Sequence, residues 1–321
     1  HVDRIEVILG SDEGPVQKQM EAGTADLAWD TGVPVSDLHR LRSLKDPGLT
    51  IEPDASVNYL VMNFREPALS NRDVREAINV AIDKTAIVKI MGGPTVATPM
   101  NRILPPEIIG GELPVDSPFV TEEDKGDPDL ARSMLADAGI SGLTLKMPYG
   151  NAGKAPSIAQ AIQQDLGDAG IEVELIPTLT NLFYTSYLFV PEADWDIAVP
   201  TWLPDWYGNA GRTFFVPLLD GRTCGANSAN FGCYDNRTIN GRIDLALEAP
   251  TADETSQAWA EADQEAIREA VDASLRTEAG QPMEITEDFG TSDQFAEYID
   301  WRADHPSDDI MTELLNAEFE D

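Results

Sequence analysis

Histidine, cysteine and basic residues are scarce in this chain, and it has no long apolar run. Of 321 residues, 3 are histidine and 2 are cysteine. The histidines (His1, His39, His305) lie far apart, so the short ligand spacing of a zinc site is missing. No apolar stretch approaches the ~20 residues needed to cross a bilayer. The opening His1-Val2-Asp3-Arg4 does not read as a secretion signal. Lysine and arginine number 22 against 57 aspartates and glutamates, a net charge of −35. A surface this negative repels phosphate backbones and anionic headgroups, so neither nucleic acid nor a membrane surface is an expected partner. The bland consequence of the acidity is solubility, as suits a high-GC or salt-tolerant host.

The motifs of the common catalysts are absent too. There is no Gly-x-Ser-x-Gly elbow, no His-Glu-x-x-His, no phosphate loop and no dinucleotide fingerprint. With 57 acids in the chain, two carboxylates close in sequence carry no information. No enzyme activity, metal or cofactor is expected.

What is present is a 42 % apolar chain of about two domains' length, by the prior of ~100–200 residues per domain. Ile5, Val7 and Leu9 alternate with Arg4 and Glu6, predicting a half-buried strand. Gly14 to Ala22 predicts a helix stopped at Gly23, and Ala25 to Trp29 a buried strand. Val57 to Phe64 is again strand-like. Asn71 to Met91 predicts one helix, with Val74, Ala77, Ile78, Ala81, Ile82 and Ile87 on an apolar face. Pro99 to Pro114 reads as irregular. Asp127-Pro128 opens a further helix that Gly139 stops. A strand at Leu143, Leu145 and Met147, a helix from Ala155 to Gly170 and a strand at 171–176 form a βαβ unit, which implies a parallel pair. Trp195 to Pro200 reads as the next buried strand. Asp205 to Tyr234 reads as loop, and helices resume at Thr238–Ala246 and from about Thr251.

Two features in the loop stretch carry chemistry. Cys224 and Cys233 bracket a short run of turn formers. A disulfide in an oxidising compartment is the first expectation; two free thiols and, less readily, a metal pair stay open. Upstream lies Thr201-Trp202-Leu203-Pro204-Asp205-Trp206-Tyr207-Gly208-Asn209, just past a predicted buried strand. Ligands of open α/β sheets bind beyond the carboxyl ends of strands, and aromatics around one polar anchor suit a small-molecule pocket. A carboxylate walled by indoles would be partly desolvated and would favour an ammonium group, helped by the aromatic faces. The same residues equally fit a tight turn with core tryptophans and an aspartate cap.

Several pieces in order resemble a known family. They are Glu21-Ala22-Gly23-Thr24-Ala25-Asp26-Leu27; Asn63-Phe64 leading to Asp73-Val74-Arg75-Glu76-Ala77-Ile78 and Ala81-Ile82-Asp83-Lys84; Asp127-Pro128-Asp129-Leu130-Ala131-Arg132 leading to Leu135-Ala136-Asp137-Ala138-Gly139; and Gly170-Ile171-Glu172-Val173. From His1 to about Asp263 the chain is similar to the C-terminal part of an extracellular solute-binding protein of the family serving peptide, nickel and related ABC importers. The resemblance implies an α/β fold, an incomplete lobe of the periplasmic-binding-protein type II class, with residues 1–55 a remnant of lobe one and 56–262 lobe two. It implies capture of an oligopeptide or related small solute outside the membrane, in the periplasm or on the cell surface, by a monomer that docks on ABC permease subunits. Asp205 would pair with the peptide's α-amino group, and Trp202, Trp206, Tyr207 and Asn209 would line the pocket. The loop departs from well-known members, which carry a tyrosine after the aspartate and a further Asp-Pro. Arg75 and Asp83 are expected to pack and cap helices. The earlier part of the family plan, with its signal segment, is expected to be missing, so that closure fails and binding is weak or absent.

The last stretch differs. Residues 263–321 carry 18 acidic and 3 basic side chains. Asp263 to Glu278, Tyr298-Ile299-Asp300-Trp301-Arg302 and Pro306-Ser307-Asp308-Asp309-Ile310-Met311 resemble the middle of a bacterial haem-thiolate cytochrome monooxygenase. Ser307 or Asp308 could cap a helix with Ile310, Leu314 and Leu315 on its apolar face. The residues before Cys224 lack the phenylalanine of that family's haem loop, so no haem is expected. The expectation is a chimera with a helical tail at 263–321, joined near Ala260–Asp263, more by an assembly or gene-prediction join than by an evolved fusion; the bland alternative is an unusual but genuine solute-binding C-terminus. The competing class is a haem-dependent monooxygenase fragment without a complete active site. A third, a plain interaction module, would bury Trp202 and Asp205 in the core.

Overall fold

A computed structural model describes residues 3–8, 13–28, 32–51, 55–108, 110–111, 113–114, 117, 120–206 and 211–269. The chain divides into two compact units, 1–273 and 274–321; the second lies wholly outside the described residues, as do the tail's expected helices beyond Glu269.

The N-terminal stretch carries helices α1 (Glu13–Glu21) and α2 (Val35–Leu44). Gly23, at φ +65°, follows α1 in the left-handed region that the expected stop requires. The strand expected at Ile5 and Val7 does not form: these side chains are 78 % and 72 % exposed. Alternation alone does not make a strand; a ladder partner is needed, and no described segment runs beside this one. The strand expected at 25–29 is likewise absent over Ala25–Ala28, with Leu27 exposed; Trp29 lies outside the described residues.

Six strands follow. β1 (Val57–Asn58) pairs antiparallel with β6 (Thr201–Trp202), and β2 (Val61–Met62) with β5 (Ile197–Ala198). The predicted strands at 57–64 and 195–200 are thus each interrupted. On the second, Pro200 has no N–H to give to a ladder. β3 (Thr144–Gly150) and β4 (Glu172–Thr178) pair in parallel across seven positions, as the βαβ pattern requires. Asp196 ties β5 to β3: its N–H donates to the Lys146 carbonyl at 3.0 Å, and its carboxylate accepts the Lys146 N–H at 2.6 Å.

Helices α3 (Pro67–Ser70), α4 (Arg72–Ala81), α5 (Lys84–Met91) and α6 (Pro128–Asp137) precede β3. The single helix expected over 71–91 is two. Ile82 is extended, and Asp83 restarts the chain as an N-cap, its carboxylate accepting the Ala86 N–H at 2.7 Å. Arg75 packs as expected: its guanidinium lies 4.9 Å from the Phe64 ring centre and donates to the Leu69 and Ser70 carbonyls. Asp127 caps α6, with Pro128 at the first turn, where a missing N–H costs nothing. Helix α7 (Ala155–Asp168) joins β3 to β4. The first core lies between α4, α6 and α7 and the β3–β4 pair, with Ile78, Leu145, Met147, Ile162 and Leu166 buried.

After β4 come α8 (Thr180–Leu182) and a π-helical turn, Phe183–Leu188. The expected loop at 205–234 contains a helix, α9 (Arg212–Leu219), despite Pro217 inside it. Tertiary burial accounts for it: Phe214 and Phe215 are fully buried, and Phe215 stacks on Trp259 at 5.5 Å. Helices α10 (Arg237–Glu248) and α11 (Ala252–Glu269) complete the second core, with Leu104, Ile108, Ile239, Ile243 and Ala262. Helix α11 runs without a break across the 262/263 position, and Asp263 and Ile267 are buried with the residues before them. A third core gathers Phe183, Leu188, Trp195, Ala198 and Phe231.

Candidate functional site

The stretch after β6 begins where Trp202 meets the second core. Trp202 is half-buried against the second core, and its indole N–H donates to the Thr213 carbonyl at 2.8 Å. The chain then turns outward: Leu203 is 61 % and Trp206 50 % exposed, and Asp205 is exposed between them. Tyr207 and Asn209 lie outside the described residues.

The structure therefore brings Trp202, Asp205 and Trp206 into one short loop but gives them different roles. Trp202 is an anchor turned inward. The expected carboxylate walled by two indoles is not what forms, because one indole is occupied by the core and the Asp205 carboxylate stands in solvent. Among the described residues no hydrogen bond or ion pair reaches that carboxylate, so neither a helix cap nor an arginine holds it. It is open to a partner from solution.

The base of the loop is held from the β1 side. The Thr201 hydroxyl donates to Asn58 Oδ1 at 2.7 Å, and the Tyr59 N–H donates to the Pro200 carbonyl at 3.3 Å. Burial, with the Tyr184 phenol near it, pushes the Tyr59 phenol well above its ordinary range, so it stays neutral.

A second constellation surrounds the two cysteines. Cys224 and Cys233 are disulfide-bonded, with Cα atoms 5.0 Å apart. The loop they close is built around Asn230, fully buried, whose amide donates to the Asp220 and Tyr234 carbonyls and accepts the Tyr234 N–H. It is joined to the segment after β2: the Phe64 N–H donates to the Gly232 carbonyl at 2.8 Å, and Arg65 donates to the Phe231 carbonyl at 3.1 Å. Buried Asn63 donates to the Trp195 carbonyl at 3.0 Å. Sequence reading did not single out Asn63, Arg65 or Asn230 for these roles. A polar residue inside a turn-rich loop was a signal for Asn230; Asn63 stands in the Asn63-Phe64 piece that carries the resemblance, though with no role attached, and nothing local marks Arg65.

Among the described residues, no group of three or more His, Cys, Asp or Glu side chains could hold a metal ion. Nor is any described helix long and apolar enough to cross a membrane. A shallow depression lined by Gln160, Gln163, Gln164, Gly167 and Asp168 belongs to α7, not to the 202–206 loop.

A family model described as bacterial extracellular solute-binding proteins, family 5 Middle, matches residues 1–221. The glutathione-binding protein GsiB of Salmonella paratyphi A is 24 % identical over 248 residues, covering 76 % of this chain and 46 % of that protein. The peptide transport periplasmic protein SapA of Salmonella typhimurium is 27 % identical over 267 residues, covering 81 % of this chain and 45 % of that protein. Among solved structures, clavulanic acid biosynthesis oligopeptide binding protein 2 matches with a TM-score of 0.71 at 22 % identity, covering 82 % of this chain and 49 % of that one. Haemophilus influenzae OppA, solved in complex with the peptide RPPGFSPFR, matches with a TM-score of 0.65 at 20 % identity, covering 81 % and 49 %. The fold is that of the periplasmic peptide-binding proteins, an α/β lobe of type II. The chain spans about half the length of the relatives it matches.

Proposed function

Because the chain belongs to the family 5 bacterial extracellular solute-binding proteins, we propose that it contributes one lobe to the non-covalent capture of an oligopeptide or related small solute for an ABC importer, outside the cytoplasmic membrane. The observation that carries the ligand class is the exposed Asp205 carboxylate, without a partner among the described residues, beside the exposed ring of Trp206 at the exit of β6. An ammonium group gains a charge-assisted hydrogen bond there, and the neighbouring indole adds cation–π attraction. The net charge of −35 raises the local concentration of cations around the lobe. Tyr207 and Asn209 complete the loop in this reading. ABC permease subunits are the proposed membrane partners, and the working state is a monomer. Relatives named for glutathione binding and peptide transport support the ligand class.

An NMR titration with a free-amine tripeptide and its N-acetyl counterpart tests this. The expected result is weak binding, with shifts concentrated at Leu203, Asp205 and Trp206, for the free amine alone. Equal shifts for both peptides, or none at these positions, would contradict it.

The division of the chain into 1–55, 56–262 and 263–321 accompanies this proposal, with the last stretch read as a piece similar to a haem-thiolate monooxygenase. The wording of residues 298–311 supports that reading; α11 itself continues past the boundary, with Ala266 packed against the second core and Ile267 buried. A single long sequencing read across codons 255–270 tests the join. A monooxygenase frame entering at that point supports it; an uninterrupted solute-binding frame on both sides contradicts it.

A further inference from the structure

Among the described residues β6 has one strand neighbour, β1. In its antiparallel pair with β1, Asn58 lies opposite Thr201, and the ladder bond runs from the Tyr59 N–H to the Pro200 carbonyl. This is the register in which the two facing residues point their own N–H groups away from each other. The Thr201 N–H therefore faces outward, where no described strand lies. It donates instead to the phenol oxygen of Tyr184 at 3.2 Å. A side chain completes a ladder position that a third strand would otherwise fill.

Tyr184 is held for this contact from several sides. It sits on the π-helical turn Phe183–Leu188, a widened turn of a kind that recurs at functional sites. Its ring meets Phe183 edge-on at 5.0 Å and lies 6.1 Å from both Phe189 and Phe231. Phe231 belongs to the disulfide loop and packs edge-on against Phe189 at 5.4 Å. That loop is fixed to the turn a second time by the Asn227 N–H, which donates to the Phe189 carbonyl at 3.3 Å. A chain of contacts thus runs from Cys224–Cys233 through Phe231 and Tyr184 to Thr201, four residues before Asp205.

Building on the reading of Asp205 as the cation anchor, we propose that Tyr184 is a positioning residue for that site: its hydroxyl fixes the strand end from which the Asp205 loop departs, and the disulfide loop holds its ring in place for that purpose. The inward anchoring of Trp202 on Thr213 supplies the second fixed point, so the loop leaves the sheet from a defined base.

The test is Tyr184→Phe in the full chain, which removes one oxygen and keeps the ring. Tyr187→Phe is the control, since the Tyr187 hydroxyl has no hydrogen bond among the described residues. Losing one hydrogen bond of ordinary strength predicts that amide exchange at Thr201 speeds up about three- to tenfold. Exchange in β3 and β4 should stay unchanged, and the preference for a free-amine over an N-acetyl tripeptide should fall several-fold. Tyr187→Phe should change neither. Unchanged exchange at Thr201 would overturn the proposal. So would a uniform acceleration across β3, β4 and β6, or equal losses of affinity for both peptides, which are the marks of a merely structural role. If the unsubstituted chain shows no preference between the peptides, it is the Asp205 reading that fails, and the Thr201 exchange alone decides the role of Tyr184.

Discussion

Arg102 meets the carboxylate of Asp263 at 2.7 Å, across 161 residues of sequence, at a point where Asp263 has no solvent exposure. The same carboxylate accepts the N–H groups of Ile103 at 2.8 Å and Leu104 at 3.4 Å, so one side chain fixes the irregular 102–104 segment onto α11. Removing one partner of a buried pair strands the other, at a cost of about 3–5 kcal/mol. Asp263→Ala is expected to lower the unfolding free energy by that order, measured by urea denaturation, and Asp263→Asn by less, since its amide oxygen still accepts.

The pH dependence of this contact has a definite sign. Burial raises the Asp263 carboxyl above its ordinary value of 3.8, against the pull of Ile103, Arg102 and Leu104. Over the window from that value up to the raised one, the folded state holds more protons than the unfolded state. Its contribution is therefore complete below pH 3.8 and is lost as pH rises through the raised value. The stability of the unsubstituted chain relative to Asp263→Asn should decline over that window. A difference that grows there would contradict the assignment.

Closing the loop between Cys224 and Cys233 removes unfolded-state freedom over a separation of nine residues. The loop-entropy relation puts this at about 2–3 kcal/mol. The double substitution Cys224→Ser/Cys233→Ser should lose that much in chemical denaturation, and reductant should shift the unsubstituted chain but not the variant.

Gly232 has no room for a side chain: a Cβ there would come within 2.2 Å of the Met62 carbonyl oxygen. Gly232→Ala must push the disulfide loop off β2 and break the Phe64–Gly232 hydrogen bond. We expect a loss of about 2 kcal/mol or more, read by thermal denaturation, in line with strain at a closely packed backbone.

A chain with 57 acidic and 22 basic side chains repels itself when folded compactly. Raising sodium chloride from about 0.1 to about 1 M cuts the screening length from ~10 to ~3 Å. The melting temperature should rise over that range, and differential scanning calorimetry reads it directly.

Much of the lobe could be read ahead of its coordinates, and the reasons are local. Asp127-Pro128 and Gly139 bound α6 because capping and left-handed stops are properties of single residues. The parallel β3–β4 pair followed from one amphipathic helix between two strand-like runs. The break at Ile82–Asp83 was hidden because the apolar period continues through it; only the capping side chain of Asp83 marks it. Helix α9 was hidden because Trp259, forty-four residues beyond Phe215, is what stabilises it. At the site, the residue types after β6 were legible, but not that the Trp202 indole turns toward Thr213 and leaves Asp205 in solvent. Tyr184 carries no signal in sequence, since its partner is a backbone N–H seventeen residues on.

The charge at position 205 is the point on which the proposed capture rests, and Asp205→Asn tests it while changing little else, because the side chain is exposed and bonded to no described residue. The measurement is the affinity of the full chain for a free-amine tripeptide, followed by NMR at matched ionic strength. The account predicts a several-fold loss in the variant, an unchanged melting temperature, and affinity for the N-acetyl peptide that does not differ between the two proteins. Equal binding of the free-amine peptide by both proteins would contradict it.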